Sequence, residues 1–297
     1  MSIIDKILVD RFNINFCEDY TRTQLKLYAK KQHIYVNNPT KNKLCHEIRR
    51  QEFLDRFWKD NYSMTRFRGT PYHVYLSLLY LRSLNLPNVD VFVPNYIEGK
   101  LDYNNLCITW NITNNKPKLT VPPSFEKFIN NSQHQFVVII LGQSLSNEHD
   151  EIISGHANLL IFDRVNKTIE RFEPHGVFSP SIYLPELCDE AIFCIWTEYN
   201  YIPTIISCPF IGPQILQTEE NEYKNSDPIG FCVAWVIWYA EFKFTYQNTT
   251  SSSRFLDMYL NILKDVSLTK LIRKYAEHIL LIGEDIRSKI VTKMYYQ

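Results

Sequence analysis

The sequence predicts an α+β fold: a central mixed or antiparallel sheet flanked by helices, with a small helical unit ahead of it. Three observations predict this. Gln135 to Leu141 and Ala157 to Asp163 are continuous apolar runs of the kind that form strands buried on both faces. Arg164-Val165-Asn166-Lys167 is turn chemistry that returns the chain as a third strand, Thr168 to Phe172, so a hairpin is expected. After Cys232 the pattern becomes helical, over Phe231 to Phe244, Arg254 to Lys264 and Leu268 to Ile290. Strands grouped ahead of helices, rather than alternating with them, point to α+β.

The elements before the sheet are weaker. Thr23 to Gln32 has Leu25, Leu27, Tyr28 and Ala29 at spacings that suit a short amphipathic helix. Thr40 can cap a second helix over Lys41 to Arg50, with Leu44, Cys45 and Ile48 on one face. Turn residues around Thr65 to Pro71 set the expected boundary between a unit over 1–65 and a main domain over 66–297. A buried helix follows over His73 to Leu84, then a short strand over Val89 to Val93. Asn95 to Asn131, rich in Asn, Lys and Pro, reads as loop broken by one strand near Leu106 to Trp110. Gly142 to Gly155 reads as a polar loop, Leu184 to Glu190 as helix and Tyr201 to Ser207 as strand.

Composition narrows the function classes. The 297 residues carry zero formal net charge, which argues against broad electrostatic capture by nucleic acid or membrane. The N-terminus lacks the apolar run of a signal peptide, and no stretch approaches the roughly 20 apolar residues that span a bilayer. Seven scattered cysteines without a Cys-x-x-Cys argue against a disulfide framework or a structural zinc site. A reducing, intracellular and cytoplasmic setting is the expectation. Locally the balance differs: Glu18 to Gln51 holds eight Lys/Arg against three Asp/Glu.

Chemistry concentrates in three strings: Gly155-His156-Ala157-Asn158, Arg171-Phe172-Glu173-Pro174-His175-Gly176 and Gly230-Phe231-Cys232-Val233-Ala234-Trp235. Cys, His and a carboxylate are what thiolate catalysis needs: a nucleophile, a base for its proton and an acceptor that orients the base. Cys232 begins an apolar helix, where the positive end of the helix dipole and unpaired N–H groups favour thiolate and can bind an oxyanion. His156 is expected to open a buried strand, projecting from the sheet edge. Glu173 ends the partner strand, so the two side chains can meet where the hairpin opens. His175 is a competing base.

In order and context these strings resemble the adenovirus-maturation-protease and SUMO/ubiquitin-like-protease superfamily of cysteine peptidases, in its large-DNA-virus form, over about Phe136 to Phe244. The resemblance implies a papain-like, SUMO-protease-like fold with His156 as general base and acid, Glu173 as its orienter and Cys232 as nucleophile. It also implies a Gln upstream of the Cys as oxyanion donor, for which Gln214 is the first candidate and Gln217 the second. Three departures from the SUMO-protease pattern stand out: Glu as third member, a Gln farther from the Cys, and Phe-Cys-Val in place of Asp-Cys-Gly.

The implied reaction is cleavage of peptide or isopeptide bonds in a protein substrate, a ubiquitin-like conjugate or a viral structural precursor, with no metal and no organic cofactor. The resemblance also embraces acetyltransferases with the same triad. The basic N-terminal segment loosely resembles a SAP motif, which implies nucleic-acid contact and, as an alternative to catalysis, an adaptor.

Overall fold

The computed structural model describes residues 21–31, 34, 36, 39–41, 44, 48, 67–94, 105–149, 151–197, 200–204, 212–219, 231–245 and 268–295. The expected helix over 254–264, most of that over 41–50 and the strand residues after 204 lie outside them. The chain divides into two compact units, Met1–Ser63 with Tyr259–Lys264, and Met64–Met258 with Asp265–Gln297.

In the first unit, helix α1 (Arg22–Lys31) starts with a reciprocal cap. The Gln24 N–H donates to Thr21 Oγ1 (3.3 Å) and the Thr21 N–H to Gln24 Oε1 (2.7 Å), which satisfies donors that a helix start leaves open. Leu25 and Ala29 are buried with Leu44 and Ile48, with Ile34 and Val36 against them. The polar face exposes Arg22, Lys26, Lys30 and Lys31.

Among the described residues, the second unit is built on a mixed sheet of seven strands: β1 (Val89–Val91), β2 (Ile108–Thr113), β3 (Lys116–Thr120), β4 (Phe136–Ser146), β5 (Ile152–Asp163), β6 (Thr168–Phe172) and β7 (Ile202–Thr204). The order is β3-β2-β4-β5-β6-β7. Strand β4 is long enough for β1 and β2 to pair parallel with successive parts of it, at Phe136–Val138 and at Leu141–Ser146. Strand β5 runs antiparallel to both β4 and β6.

Helices cover both faces. On one side α3 (Pro123–Asn131) and α4 (Pro185–Thr197) place Phe125, Ile129, Ile192 and Trp196 against Ile139, Leu141, Leu160 and Phe162. Helix α6 (Cys232–Thr245) packs on β5 from the other side, with α2 (Pro71–Ser83) and α7 (Leu268–Tyr295) in contact with it. A short α5 (Pro213–Glu219) precedes α6. Every residue from Phe231 to Phe242 is buried, the signature of a helix enclosed on all sides.

Three expectations need correction. The segment from Asn105 to Asn131 is not loop with one strand: it holds the hairpin β2–β3, turned at Asn114 and Asn115 with positive φ, and then α3. Asn tolerates the left-handed conformation that a tight hairpin requires, so composition that suggested loop was hairpin chemistry. Gly142 to Gly155 is not a loop either, because β4 runs to Ser146 and β5 starts at Ile152. The end of β4 carries polar side chains that are satisfied across the sheet: Asn111 Oδ1 accepts from Ser144 Oγ (3.1 Å) and Ser146 Oγ (3.0 Å). Consequently His156 does not open its strand. It is the first buried residue of β5, after four that are exposed or half-buried.

Candidate active site

The hairpin β5–β6 sets the geometry. Its last paired position is Leu159 opposite Phe172, and beyond it the strands diverge, leaving His156 and Glu173 facing each other. Phe172 is pinned by face-to-face stacking on Tyr239 of α6, with ring centroids 3.9 Å apart. That contact fixes the end of β6 against the helix that carries Cys232. Glu173 is completely buried and His156 nearly so.

The His156 Nε2–H donates to Glu173 Oε1 over 2.7 Å. With Nε2 occupied, Nδ1 is the ring nitrogen left to serve Cys232, which is near enough to favour the charged imidazole. Burial alone would push the imidazole down. The Glu173 charge outweighs it, with hydrogen bonds to Cys232 and Glu173, and raises His156 to about 10. Burial likewise favours neutral Glu173, but the His156 charge and hydrogen bonds from His156 and His175 hold its carboxyl well below the usual range. The dyad is therefore an ion pair, imidazolium on carboxylate, beside the thiol.

Glu173 is held at both oxygens. Oε1 also accepts the backbone N–H of His175 (2.9 Å), while Oε2 accepts the Ser179 hydroxyl (3.1 Å) and lies 3.7 Å from the Arg171 guanidinium. Arg171 is itself clamped by Asp189, at 2.6 Å and 2.8 Å, and donates to Asn158 Oδ1. Asn158 in turn donates to Gln143 Oε1 (3.3 Å), the residue preceding Ser144 on β4. A buried network thus reaches back from the carboxylate into the sheet. Tyr183 packs its ring on His156 (5.6 Å between centroids, 21° apart), with its hydroxyl 2.6 Å from Ser154 Oγ.

Cys232 occupies the first position of α6, and the Trp235 N–H closes the first turn on the Phe231 carbonyl (2.9 Å). The N–H groups of Cys232, Val233 and Ala234, ahead of that bond, have no intrahelical carbonyl to bond. Burial makes two other thiols poor nucleophiles, raising Cys107 to about 11 and Cys188 to about 12.

The two glutamines differ in their partners. Gln217 Oε1 accepts the indole N–H of buried Trp235 (2.9 Å), which ties it to packing between α5 and α6, while its Nε2 is buried with no partner. Gln214 is buried with no partner for its Oε1, and its backbone N–H donates to the Pro174 carbonyl (3.0 Å). The turn after Glu173 therefore carries the Gln214 segment directly.

Sequence reasoning names His156, Glu173, Cys232, Gln214 and His175, all of which belong to this second unit. His156, Glu173 and His175 converge, and Cys232 lies near enough to His156 to favour its charged form. It misses Ser179, Tyr183 and the Arg171–Asp189 pair. The alternation Arg171-x-Glu173-x-His175 carries a signal for Arg171, since residues two apart on a strand share a face. Tyr183 leaves no such mark.

His156, Glu173 and His175 also form the one group of three metal-type ligands among the described residues. No described helix is long and apolar enough to cross a membrane.

No protein-family model matches the chain. A curated Acanthamoeba polyphaga mimivirus protein, described as putative ankyrin repeat protein L371, is 28% identical over 197 residues, or 60% of this chain and 24% of that protein. The chain thus spans about a quarter of that relative's length. Among solved structures, the SUMO protease Ulp1 with its catalytic cysteine oxidized to a sulfenic acid is 12% identical, covering 72% of this chain and 77% of its own, at a TM-score of 0.31. The Chlamydia trachomatis effector ChlaDUB1 is 11% identical, covering 85% of this chain and 95% of its own, at a TM-score of 0.35.

Proposed function

We propose that this chain is a cysteine-type peptidase or isopeptidase acting on a protein substrate through Cys232, His156 and Glu173. The observation that carries the reading is the buried Glu173 carboxylate 2.7 Å from His156 Nε2, with Cys232 near enough to the imidazole to favour its charged form from the first position of α6. The pairing of His156 with the buried Glu173 carboxylate is what thiolate catalysis needs of its base, because the carboxylate orients the ring and favours its protonated form.

The Cys232 sulfur attacks the substrate carbonyl carbon, and the carbonyl π electrons move to oxygen. The N–H groups at the start of α6 and the side-chain amide of Gln214 stabilise that oxyanion. His156 gives its Nδ1 proton to the leaving amine as the C–N bond breaks, which leaves a thioester on Cys232. Water then attacks the thioester, losing a proton to His156, and the acid product departs with thiolate restored. Glu173 stays ionised and holds the ring by Nε2 throughout.

The substrate class we propose is a ubiquitin-like conjugate or a viral precursor protein, the second in keeping with the mimivirus relative. The test is a set of electrophilic ubiquitin-like and polyprotein-derived tails, with the adduct mapped by mass. An adduct on Cys232, lost in Cys232→Ser and slowed at least about 10²-fold in His156→Ala, supports the reading. Labelling that ignores His156 overturns it.

A further inference from the structure

Three ligand atoms converge at the Nε2 edge of the imidazole: His156 Nε2, Glu173 Oε1 and His175 Nδ1, all within 4.8 Å of one another. His175 Nδ1 lies 3.4 Å from His156 Nε2 and 3.4 Å from Glu173 Oε1. Atoms bound at about 2.0–2.2 Å to a tetrahedral ion stand about 3.3–3.6 Å apart, so two of the three edges already have the length a zinc-type ion imposes. The third edge is the 2.7 Å hydrogen bond, and a cation in place of its proton lengthens it by less than about 1 Å.

The donor set has a definite chemical preference. Two imidazoles and one carboxylate with an open position suit zinc and its neighbours, not calcium or magnesium. The surroundings hold the ligands in place, because Ser179 and the His175 backbone N–H orient Glu173. The turn bearing His175 is also locked by Gly212, whose added Cβ would meet the Pro174 oxygen at 2.0 Å. Entry is from the His175 side, the most exposed of the three at 14% of its side chain.

We propose that His156, Glu173 and His175 form a binding site for a zinc-type divalent cation that shuts off the thiol chemistry by taking the Nε2 position of His156. The cation displaces the Nε2 proton to solvent and accepts the lone pair that proton held. The ring is left with its Nδ1 proton alone and without its carboxylate partner, so it loses the imidazolium character that the acid step needs. The inhibitory half rests on the catalytic reading above; the binding half does not, because Cys232 is not a ligand.

The experiment uses full-length protein titrated with Co²⁺ and Zn²⁺. The expected result is one equivalent bound by wild type and by Cys232→Ser with equal affinity. Cobalt should show visible d–d bands and no near-ultraviolet sulfur-to-cobalt charge transfer. Adding His175→Asn to Cys232→Ser should weaken binding more than about 100-fold, beyond the usual effect of an outer-shell change. Placing His175→Cys there instead should restore it and create the charge-transfer band, which also shows that the fold survives. Zn²⁺ should slow Cys232 labelling in wild type, reversibly with chelator, and leave labelling of His175→Asn unchanged. No binding by Cys232→Ser, or a wild-type charge-transfer band that vanishes in Cys232→Ser, would overturn the site. Binding without slower labelling would overturn the inhibitory half alone.

Discussion

The backbone N–H of Gln214 donates to the carbonyl of Pro174 over 3.0 Å, so the candidate oxyanion donor hangs from the turn that follows the candidate orienting carboxylate. One short turn thus joins the segments that carry the candidate orienter and the candidate oxyanion donor. Gly212 is what lets the backbones approach: an added Cβ would stand 2.0 Å from the Pro174 oxygen and 2.5 Å from the Gly176 nitrogen. Backbone cannot yield as a side-chain tip can, so Gly212→Ala must push α5 away. We expect a loss of about 1–3 kcal/mol in urea unfolding and a loss of Cys232 labelling out of proportion to it. Unchanged labelling would mean that the turn does not position Gln214.

Gln214 and Gln217 should part by readout. Gln214→Ala should slow turnover about 10²–10³-fold with little change in stability, as expected for one oxyanion donor. Gln217→Ala strands the Trp235 indole N–H in the core, at a cost of about 1–3 kcal/mol, with the smaller kinetic effect. Steady-state kinetics beside thermal unfolding separates them, and the reverse pattern would exchange their roles.

The His156–Glu173 ion pair gives a signed pH dependence. His156 is raised from 6.5 to about 10, so its share of stability is complete below 6.5 and disappears as pH rises through about 10. Glu173 is lowered from 4.5, so its share is complete above 4.5 and fades as pH falls below that value. The stability gap between wild type and Glu173→Gln should therefore be widest between 4.5 and 6.5 and narrow on both sides. Urea titrations across this range measure it, and a gap independent of pH would contradict the ion pair.

Away from the site, Gly283 on α7 faces α2, where a Cβ would meet the Leu76 backbone oxygen at 2.6 Å. Gly283→Ala gains about 0.8–1.0 kcal/mol of helix propensity, yet forcing the helices apart costs about 1–3 kcal/mol. Net destabilisation with normal Cys232 labelling is expected. A higher melting temperature would show that the interface gives way.

Much of the fold was legible because its signals are local. The apolar runs around Val138 and Leu160 have no solution but buried strands, and Cys232-Val-Ala-Trp is too apolar for a surface helix. The Asn114–Asn115 hairpin was misread because Asn marks both loops and left-handed turns. The polar end of β4 reads as loop because Asn111, which satisfies Ser144 and Ser146, lies more than thirty residues earlier.

The sequence by itself determined the α+β class, the β5–β6 hairpin, the helix that opens at Cys232 and the residue types of a thiol site. Those features follow from periodicity, turn chemistry and side-chain chemistry, which act between neighbours in the chain. Only the tertiary structure decided that Nε2 of His156 faces Glu173, that Gln217 serves Trp235 while Gln214 hangs from Pro174, and that His175 completes a three-atom cluster. Such facts depend on contacts of a few ångströms between segments far apart in sequence, and a one-residue shift in register would undo them.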